Sequence, residues 1–364
     1  MRLFLLFICW IGMLGMGTAI AAASPASEAQ AACVVLDDDQ ARLKCYDTAA
    51  GRTPTERVAP ESPSASAPSG ASAASPAAES SNEGRLPAIA LAPAEEPLSP
   101  LAKRWQLVAQ TDRGPFVITP YRPTYILPVS YAGRRNETPF NETFGEDKPY
   151  EPVEAKFQLS FMSKLWPELL DPRGDLWFAY TQLSFWQVYN GAASAPFRET
   201  DYEPELIYSW KTNFKTLGLN SRLLSLSLDH QSNGRADPVS RSWNRVVASA
   251  LFDHGDDFAL GLKAWWRLPE SASSDDNPNI ENYVGRAELW TFWTAGRNHY
   301  AVMLRNNLDP GEPRGALQLD WSIPLGHSPV RGYVQYFYGY GDGLIDYDFI
   351  ANRLSVGFLL TDWM

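Results

Sequence analysis

Long apolar runs are missing from most of this sequence. Beyond the first 21 residues no stretch of 18 or more apolar residues occurs, which argues against a membrane-spanning helix. Since only helices and closed barrels can span a bilayer, a membrane protein with this sequence must be a β-barrel. Basic residues are also few, with 31 Lys and Arg against 42 Asp and Glu. The net charge of -11 argues against nucleic acid as a partner.

The N-terminus has the pattern of a secretory signal peptide. Met1 and Arg2 precede an apolar core that runs from Leu3 to Leu14, and Ala19-Ile20-Ala21 offers a small-x-small cleavage site. We therefore predict that residues 1–21 form a signal peptide and that the mature protein is exported.

Cysteine is scarce, with three residues in the chain. Cys9 would leave with the signal peptide, whereas Cys33 and Cys45 remain in a short cysteine-containing segment at 22–47. An oxidising compartment favours a Cys33–Cys45 disulfide, with free thiols or a lipid-modified Cys33 as the alternatives.

The following segment, 48–100, consists largely of Ala, Pro, Ser and Glu and has almost no aromatic residues. Such a composition cannot bury enough apolar surface to offset chain entropy, so we predict a disordered linker. Residues 101–364 then form the folded domain.

Aromatic residues make up 13% of the chain and are concentrated in this domain, in β-branched and aromatic segments that Gly, Pro, Asn and Asp separate. The pattern predicts twelve strands, an even number as in bacterial barrels. Their approximate ranges are 115–129, 153–165, 175–189, 201–212, 219–232, 241–253, 257–268, 282–295, 298–307, 315–324, 330–340 and 351–362.

The segment 223–245 carries the strongest chemical signal. Successive strand residues point to opposite faces, so one face holds three leucines and then His230 and Ser232, while the other, with Ser225, Ser227 and Asp229, looks like the solvated one. After a turn at Asn233-Gly234 and Asp237-Pro238, a second strand begins. A hairpin centred near Asp237 would place Asn244 opposite His230, with Cβ atoms about 5 Å apart.

An apolar face points into the core of a soluble protein and at lipid in a membrane barrel. The last predicted strand favours the barrel, because Leu354, Val356, Phe358 and Leu360 share one face close to the end of the chain. We therefore predict an all-β fold, a twelve-stranded antiparallel transmembrane β-barrel with a disordered N-terminal extension.

Five segments resemble the bacterial outer-membrane phospholipase A family, and the longest is D-H-Q-S-N-G-R-A-D-P-V-S-R-S-W-N-R. The segments are residues 180–187, 196–204, 229–245, 275–278 and 339–347. The resemblance implies a lipid-facing catalytic set that matches Ser232, His230 and Asn244, three residues that the alternation already places on the apolar face. It also implies a multi-pass protein of the bacterial outer membrane, with membrane phospholipids as substrate.

In that set Ser232 would attack the ester carbonyl, His230 would take its proton, and Asn244 would orient the imidazole. Gly234 is a candidate oxyanion donor, because a glycine lets its N–H approach closely. The plain alternatives are a structural histidine at a strand end and an ordinary turn glycine.

Residues 235–240 are rich in hard oxygen ligands, which suits Ca²⁺ rather than zinc, although no EF-hand spacing is present. The resemblance implies that calcium is the cofactor. The resemblance implies ligands at the Arg235 carbonyl and the Ser240 hydroxyl, with the Ser194 carbonyl supplied by a second subunit. Asp237 is a plausible further ligand, although Asp-Pro is more often only a turn.

The resemblance also implies a homodimer in which Gln182 bonds its symmetry mate inside the membrane. The predicted function is thus a calcium-dependent phospholipase of A1/A2 and lysophospholipase type that dimerisation activates. The alternatives are a catalytically inactive or passive barrel or porin, and a soluble secreted lipase, against which the absence of G-x-S-x-G argues.

Overall fold

A computed structural model describes residues 99–362 together with Asp38 and Cys45. The predicted signal peptide and nearly all of the predicted cysteine-containing segment (22–47) and linker (48–100) lie outside the described residues. Cys45 is disulfide-bonded, and Cys33 is outside the described range.

The described residues form one antiparallel sheet of fourteen strands. The strands are β1 (Ile118–Pro120), β2 (Thr124–Ala132), β3 (Val153–Trp166), β4 (Gly174–Trp186), β5 (Phe197–Lys211), β6 (Lys215–Thr216), β7 (Leu219–Ser232), β8 (Ser242–His254), β9 (Phe258–Arg267), β10 (Ala287–Ala295), β11 (Asn298–Asn306), β12 (Gly315–Pro324), β13 (Arg331–Gly339) and β14 (Ala351–Thr361). The helices are α1 (Pro100–Arg104), α2 (Glu137–Phe144) and α3 (Ile280–Tyr283), with single 3₁₀ turns at Ala109–Thr111, Gly191–Ala193 and Leu344–Asp346.

Twelve of these strands close into a barrel. Each of β2 to β5 and β7 to β14 pairs with its neighbours along the chain, and β14 pairs with β2 to close the circle. The predicted fold class is therefore confirmed. The strands β1 and β6 are short additions beside β3 and β7.

Two predicted strands differ most from the observed ones. The first predicted strand, 115–129, is broken between β1 and β2, where the side chains of Tyr121 and Arg122 turn inward to bond Glu205 and Glu203. The predicted strand 282–295 starts only at Ala287, because α3 and a glycine turn precede it. At that turn Gly285 has a φ of +90°, and an added Cβ would lie 2.4 Å from the carbonyl oxygen of Asn306.

The outer surface of the barrel is apolar. On β14 the outward residues alternate with buried ones, and Leu354, Val356, Phe358 and Leu360 are 45–51% exposed. A band of exposed leucine, valine and aromatic side chains on a closed barrel needs an apolar surrounding, which is lipid. None of the helices in the described part of the chain is long and apolar enough to cross a membrane.

The inner face is packed with charged residues, where a solvated face was expected for Ser225, Ser227 and Asp229. Asp229 is buried and accepts a hydrogen bond from Arg245 at 2.8 Å. Lys156 and Arg353 both bond Asp342, from the loop between β13 and β14. Burial alone would raise the pKa of the Asp342 carboxyl, but these two cations hold that pKa well below its ordinary value.

Both ends of the barrel are filled by chain segments. At the end with short turns, Leu101 and Trp105 of the N-terminal segment pack on inward residues such as Trp177 and Phe292. At the end with long loops, Leu344 and Tyr347 pack on Trp243 and its neighbours. This filling argues against an open channel.

The buried ion pairs supply a stability prediction. Arg198 bonds Asp346 at 2.7 Å and Glu154 at 3.0 Å, and all three side chains are buried. Arg198→Met should lower the free energy of unfolding by about 3 kcal/mol, because Asp346 loses its charged partner. The midpoint of urea unfolding in detergent measures this loss. Arg173→Met, in an exposed pair with Asp171, is the control and should leave the midpoint unchanged.

Candidate functional site

The hairpin of β7 and β8 brings the predicted residues together. The register pairs His230 with Asn244 and Ser232 with Ser242, so the hairpin is centred at Asp237 as the sequence predicts. His230 Nδ1 lies 2.8 Å from Asn244 Oδ1, within hydrogen-bond distance. Because the amide oxygen can only accept, Nδ1 carries the proton and Nε2 is the basic nitrogen.

Ser232 lies two residues beyond His230 on the same face of β7, next to the loop. The Gly234 N–H donates to Ser232 Oγ at 3.1 Å. Gly234 has a φ of +65°, and an added Cβ would lie 3.3 Å from the Tyr202 ring, so glycine suits the position. A backbone donor therefore points at the hydroxyl that the mechanism would use.

This set lies on the outer wall of the barrel. Leu224, Leu226 and Leu228 precede His230 on the same face of β7 and are 38–49% exposed, whereas the alternate residues Leu223, Ser227 and Asp229 are buried inside. Since the outer wall contacts lipid, the serine hydroxyl faces the membrane and not the lumen.

Asn244 has a second partner that the sequence did not reveal. Its Nδ2 donates to Glu270 Oε1 at 2.8 Å. Glu270 lies in the loop after β9, where the Leu268 N–H donates to the Asn244 carbonyl at 2.8 Å and carries the strand pairing past Arg267. The hydrogen-bonded chain is thus His230–Asn244–Glu270.

Oxygen ligands gather at the loop that joins β7 and β8. Ser240 Oγ donates to Asp276 Oδ2 at 2.6 Å, and the Ser242 N–H donates to Asp276 Oδ1 at 3.0 Å. Hydroxyl and carboxylate oxygens are ligands that Ca²⁺ prefers, so the residues present fit that ion. Asp276 belongs to the D-D-N-P segment 275–278, for which the sequence pattern predicts no role.

The other predicted ligands occupy the same end of the barrel. The Arg235 side chain donates to the Phe197 and Arg198 carbonyls and so anchors the loop to the start of β5. Asp237 is exposed at the tip of the same loop. Ser194, with a φ of 62°, ends the 3₁₀ turn in the loop between β4 and β5.

Gln182 is on the outer wall of β4, a face that the sequence pattern left undecided. Cross-strand pairing aligns Gln182 with Tyr202, and Tyr202 with Ser232. Because these three residues lie on adjacent strands, Gln182 is two strand spacings, or about 10 Å, from Ser232 and at the same height in the membrane. Its amide accepts from the Tyr180 hydroxyl at 3.3 Å and donates to Ser184 at 3.2 Å, which leaves one N–H and one lone pair for another partner.

A hydroxyl, an imidazole and an orienting amide on one surface are the parts of a serine acyl-transfer site. The backbone N–H of Gly234 and the oxygen-rich loop lie on its loop side. Because the site opens toward lipid, an acyl ester in the membrane is the substrate that it can reach.

Known proteins match this fold and sequence. The family described as Phospholipase A1 matches residues 101–360. The Phospholipase A1 of Klebsiella pneumoniae is 36% identical over 253 residues, covering 70% of this chain and 85% of the relative. The solved outer membrane phospholipase A from Escherichia coli has a TM-score of 0.66 and 32% identity, covering 72% of this chain and 99% of that one. The Salmonella typhi outer membrane phospholipase, a dimer with bound calcium, has a TM-score of 0.63 and 33% identity, covering 70% of this chain and 95% of that one.

Proposed function

Because the chain belongs to the phospholipase A1 family, we propose that its outward-facing Ser232, His230 and Asn244 hydrolyse the acyl esters of membrane phospholipids. The protein is a multi-pass outer-membrane phospholipase. Beyond this, we propose which residues are catalytic and that the activity is of A1/A2 and lysophospholipase type. We also propose that the activity requires calcium and that a homodimer is the active form. The observation that carries it is the His230–Asn244 hydrogen bond on the same lipid-facing surface as Ser232.

The reaction begins at Ser232. His230 Nε2 takes the hydroxyl proton while Oγ attacks the ester carbonyl. The Gly234 N–H, which donates to Ser232 Oγ in the resting site, would stabilise the oxyanion. Collapse of the tetrahedral intermediate breaks the ester bond, and the imidazolium returns the proton to the departing lysophospholipid. Water, deprotonated by the same nitrogen, then releases the fatty acid and restores Ser232.

Calcium would be held by the Ser240 hydroxyl and the Arg235 carbonyl, with Asp237 as a further ligand and the Ser194 carbonyl of a second copy completing the set. When bound, the ion supplies positive charge beside the oxyanion. Support comes from the oxygen ligands around Ser240, and from the calcium in the Salmonella typhi relative.

The homodimer proposal rests on Gln182. This polar side chain faces lipid at the height of Ser232, where water cannot compete for its hydrogen bonds. A second copy that packs on β4 would therefore lie beside the reactive serine. The Salmonella typhi relative is a dimer.

We expect Gln182→Ala to weaken the dimer by about tenfold, because each copy loses an intramembrane hydrogen bond. Cross-linking in detergent as a function of protein concentration measures the dimer, and the hydrolysis rate should fall in parallel. Tyr338→Leu, an outward residue on β13, is the control and should change neither. A fully active monomer would refute activation by dimerisation.

The direct test of the proposed function is phospholipid hydrolysis by the refolded protein, with and without calcium. Release of fatty acid from phospholipid micelles is expected to be much faster with calcium than without it. Failure to release fatty acid under any calcium concentration would reject the proposed function.

A further inference from the structure

Glu270 contacts the proposed catalytic set without touching the serine or the imidazole. Its carboxylate accepts the Asn244 Nδ2–H at 2.8 Å, on the side of the amide that faces away from His230. Three residues before it, Arg267 ends β9, and the Leu268 N–H continues the pairing to the Asn244 carbonyl. Backbone pairing thus brings the loop that carries Glu270 to the amide.

A carboxylate at this point determines which way the amide faces. An asparagine side chain has a donor end and an acceptor end of nearly equal shape, so packing alone does not distinguish the two orientations. An ionised carboxylate only accepts, and reversing the amide would place two acceptors 2.8 Å apart. Glu270 therefore keeps Nδ2 toward itself and Oδ1 toward His230.

The orientation of the amide in turn selects the imidazole tautomer. With Oδ1 as its neighbour, His230 Nδ1 must donate, so Nε2 keeps the lone pair that a general base needs. The reversed amide would present N–H groups to Nδ1 and favour the tautomer with its proton on Nε2. That tautomer cannot accept the serine proton.

The Glu270 carboxylate also supplies the His230 imidazole with nearby negative charge, which the neutral Asn244 amide cannot provide. Imidazolium forms during the reaction, and a carboxylate one hydrogen bond further away stabilises it through the polarised amide. The Glu270 side chain is fixed in this position by an ion pair, since Arg267 Nη2 lies 3.9 Å from Oε2 and the side chain is only 16% exposed. Arg267 is itself anchored by Asp275 and by the Asn277 carbonyl.

We propose that Glu270 is a positioning residue, the fourth member of the chain Ser232–His230–Asn244–Glu270, which acts on catalysis through Asn244. The inference rests on the proposed function and extends it. It concerns a residue outside every segment that carries the family resemblance.

The first test is Glu270→Leu, measured as phospholipid hydrolysis with saturating calcium. We expect kcat to fall by about tenfold to a hundredfold, the worth of one hydrogen bond to a charged group, with KM unchanged. Glu281→Leu is the matched control, since Glu281 lies in the same loop and pairs only with Arg286 among the ion pairs of the described residues. Its activity should equal that of the wild type.

The second test separates positioning from a merely structural effect. In an Asn244→Ala background, Glu270→Leu should cause no further loss, because the residue through which it acts is gone. A further tenfold loss in that background would show that Glu270 acts elsewhere and would overturn the proposal.

The third test reverses the polarity of the pair. Asn244→Asp alone places two carboxylates in contact and should lower kcat by about tenfold or more. Adding Glu270→Gln supplies an amide donor to the new carboxylate, and most of the lost activity should return. If the double variant is no better than Asn244→Asp alone, the proposal is wrong.

Ser232→Ala, assayed in parallel, keeps the two proposals distinguishable. If Ser232→Ala is inactive and Glu270→Leu has wild-type kcat, the positioning role fails and the proposed function stands. If Ser232→Ala is active, Ser232 is not the nucleophile, and the proposed catalytic set fails together with the positioning role. Gel mobility of unheated samples confirms that every variant is a folded barrel.

Discussion

Ser232→Ala is expected to abolish phospholipid hydrolysis, by as much as about a millionfold if the set behaves like other serine hydrolases. The variant removes the oxygen that would form the acyl-enzyme. The barrel should remain folded, because Ser232 is the last residue of β7 and its side chain faces outward. Fatty-acid release from phospholipid micelles measures the loss.

Ser328→Ala provides the control, since Ser328 is an exposed serine in the turn between β12 and β13 at the opposite end of the barrel. Its activity should equal that of the wild type. Appreciable hydrolysis by Ser232→Ala would reject Ser232 as the nucleophile.

Chelation of calcium is the second large effect. EDTA should lower turnover by about a hundredfold to a thousandfold, the usual cost of losing a principal oxyanion stabiliser. The barrel should stay folded, because the proposed ligands lie in loops and take no part in the strand pairing that closes the barrel. Far-UV circular dichroism in detergent checks the fold, and hydrolysis on return of calcium checks reversibility.

Ser240→Ala should raise the calcium concentration needed for half-maximal activity, because the variant removes one proposed ligand. Ser271→Ala, an exposed serine in the loop between β9 and β10, should leave that concentration unchanged. Undiminished activity in EDTA would remove calcium from the mechanism.

The hairpin could be predicted from the sequence because strand periodicity is strict. A period of two placed His230 and Ser232 on one face, and the turn at Asp237 set the register that pairs His230 with Asn244. The alternation on β14 likewise indicated an outward apolar face, and the pairing of β14 with β2 closes the barrel.

The contribution of the loop between β9 and β10 could not be predicted. Glu270 and Asp276 reach the site from residues 268–286, where no periodicity relates a residue to a neighbour in space. A glutamate in a polar loop is ordinary in sequence. Only the pairing of Leu268 with Asn244 places it behind the amide.

The polar inner face was misjudged for a different reason. Alternation separates apolar from polar faces, but it does not distinguish a solvated lumen from one filled with ion pairs. Here Arg245 forms ion pairs with both Asp229 and Glu203 inside the barrel. The break between β1 and β2 has a similar origin, because Arg122 turns inward to this network.

The central claim is that a lipid-facing serine on β7 is the nucleophile. The most direct measurement is covalent labelling of the folded protein in detergent with a long-chain alkyl fluorophosphonate, followed by mass spectrometry of the peptides. We expect one modified residue, Ser232, with labelling lost in His230→Ala and activity lost in proportion to labelling. Modification of a different serine, or complete inactivation with Ser232 unmodified, would contradict the claim.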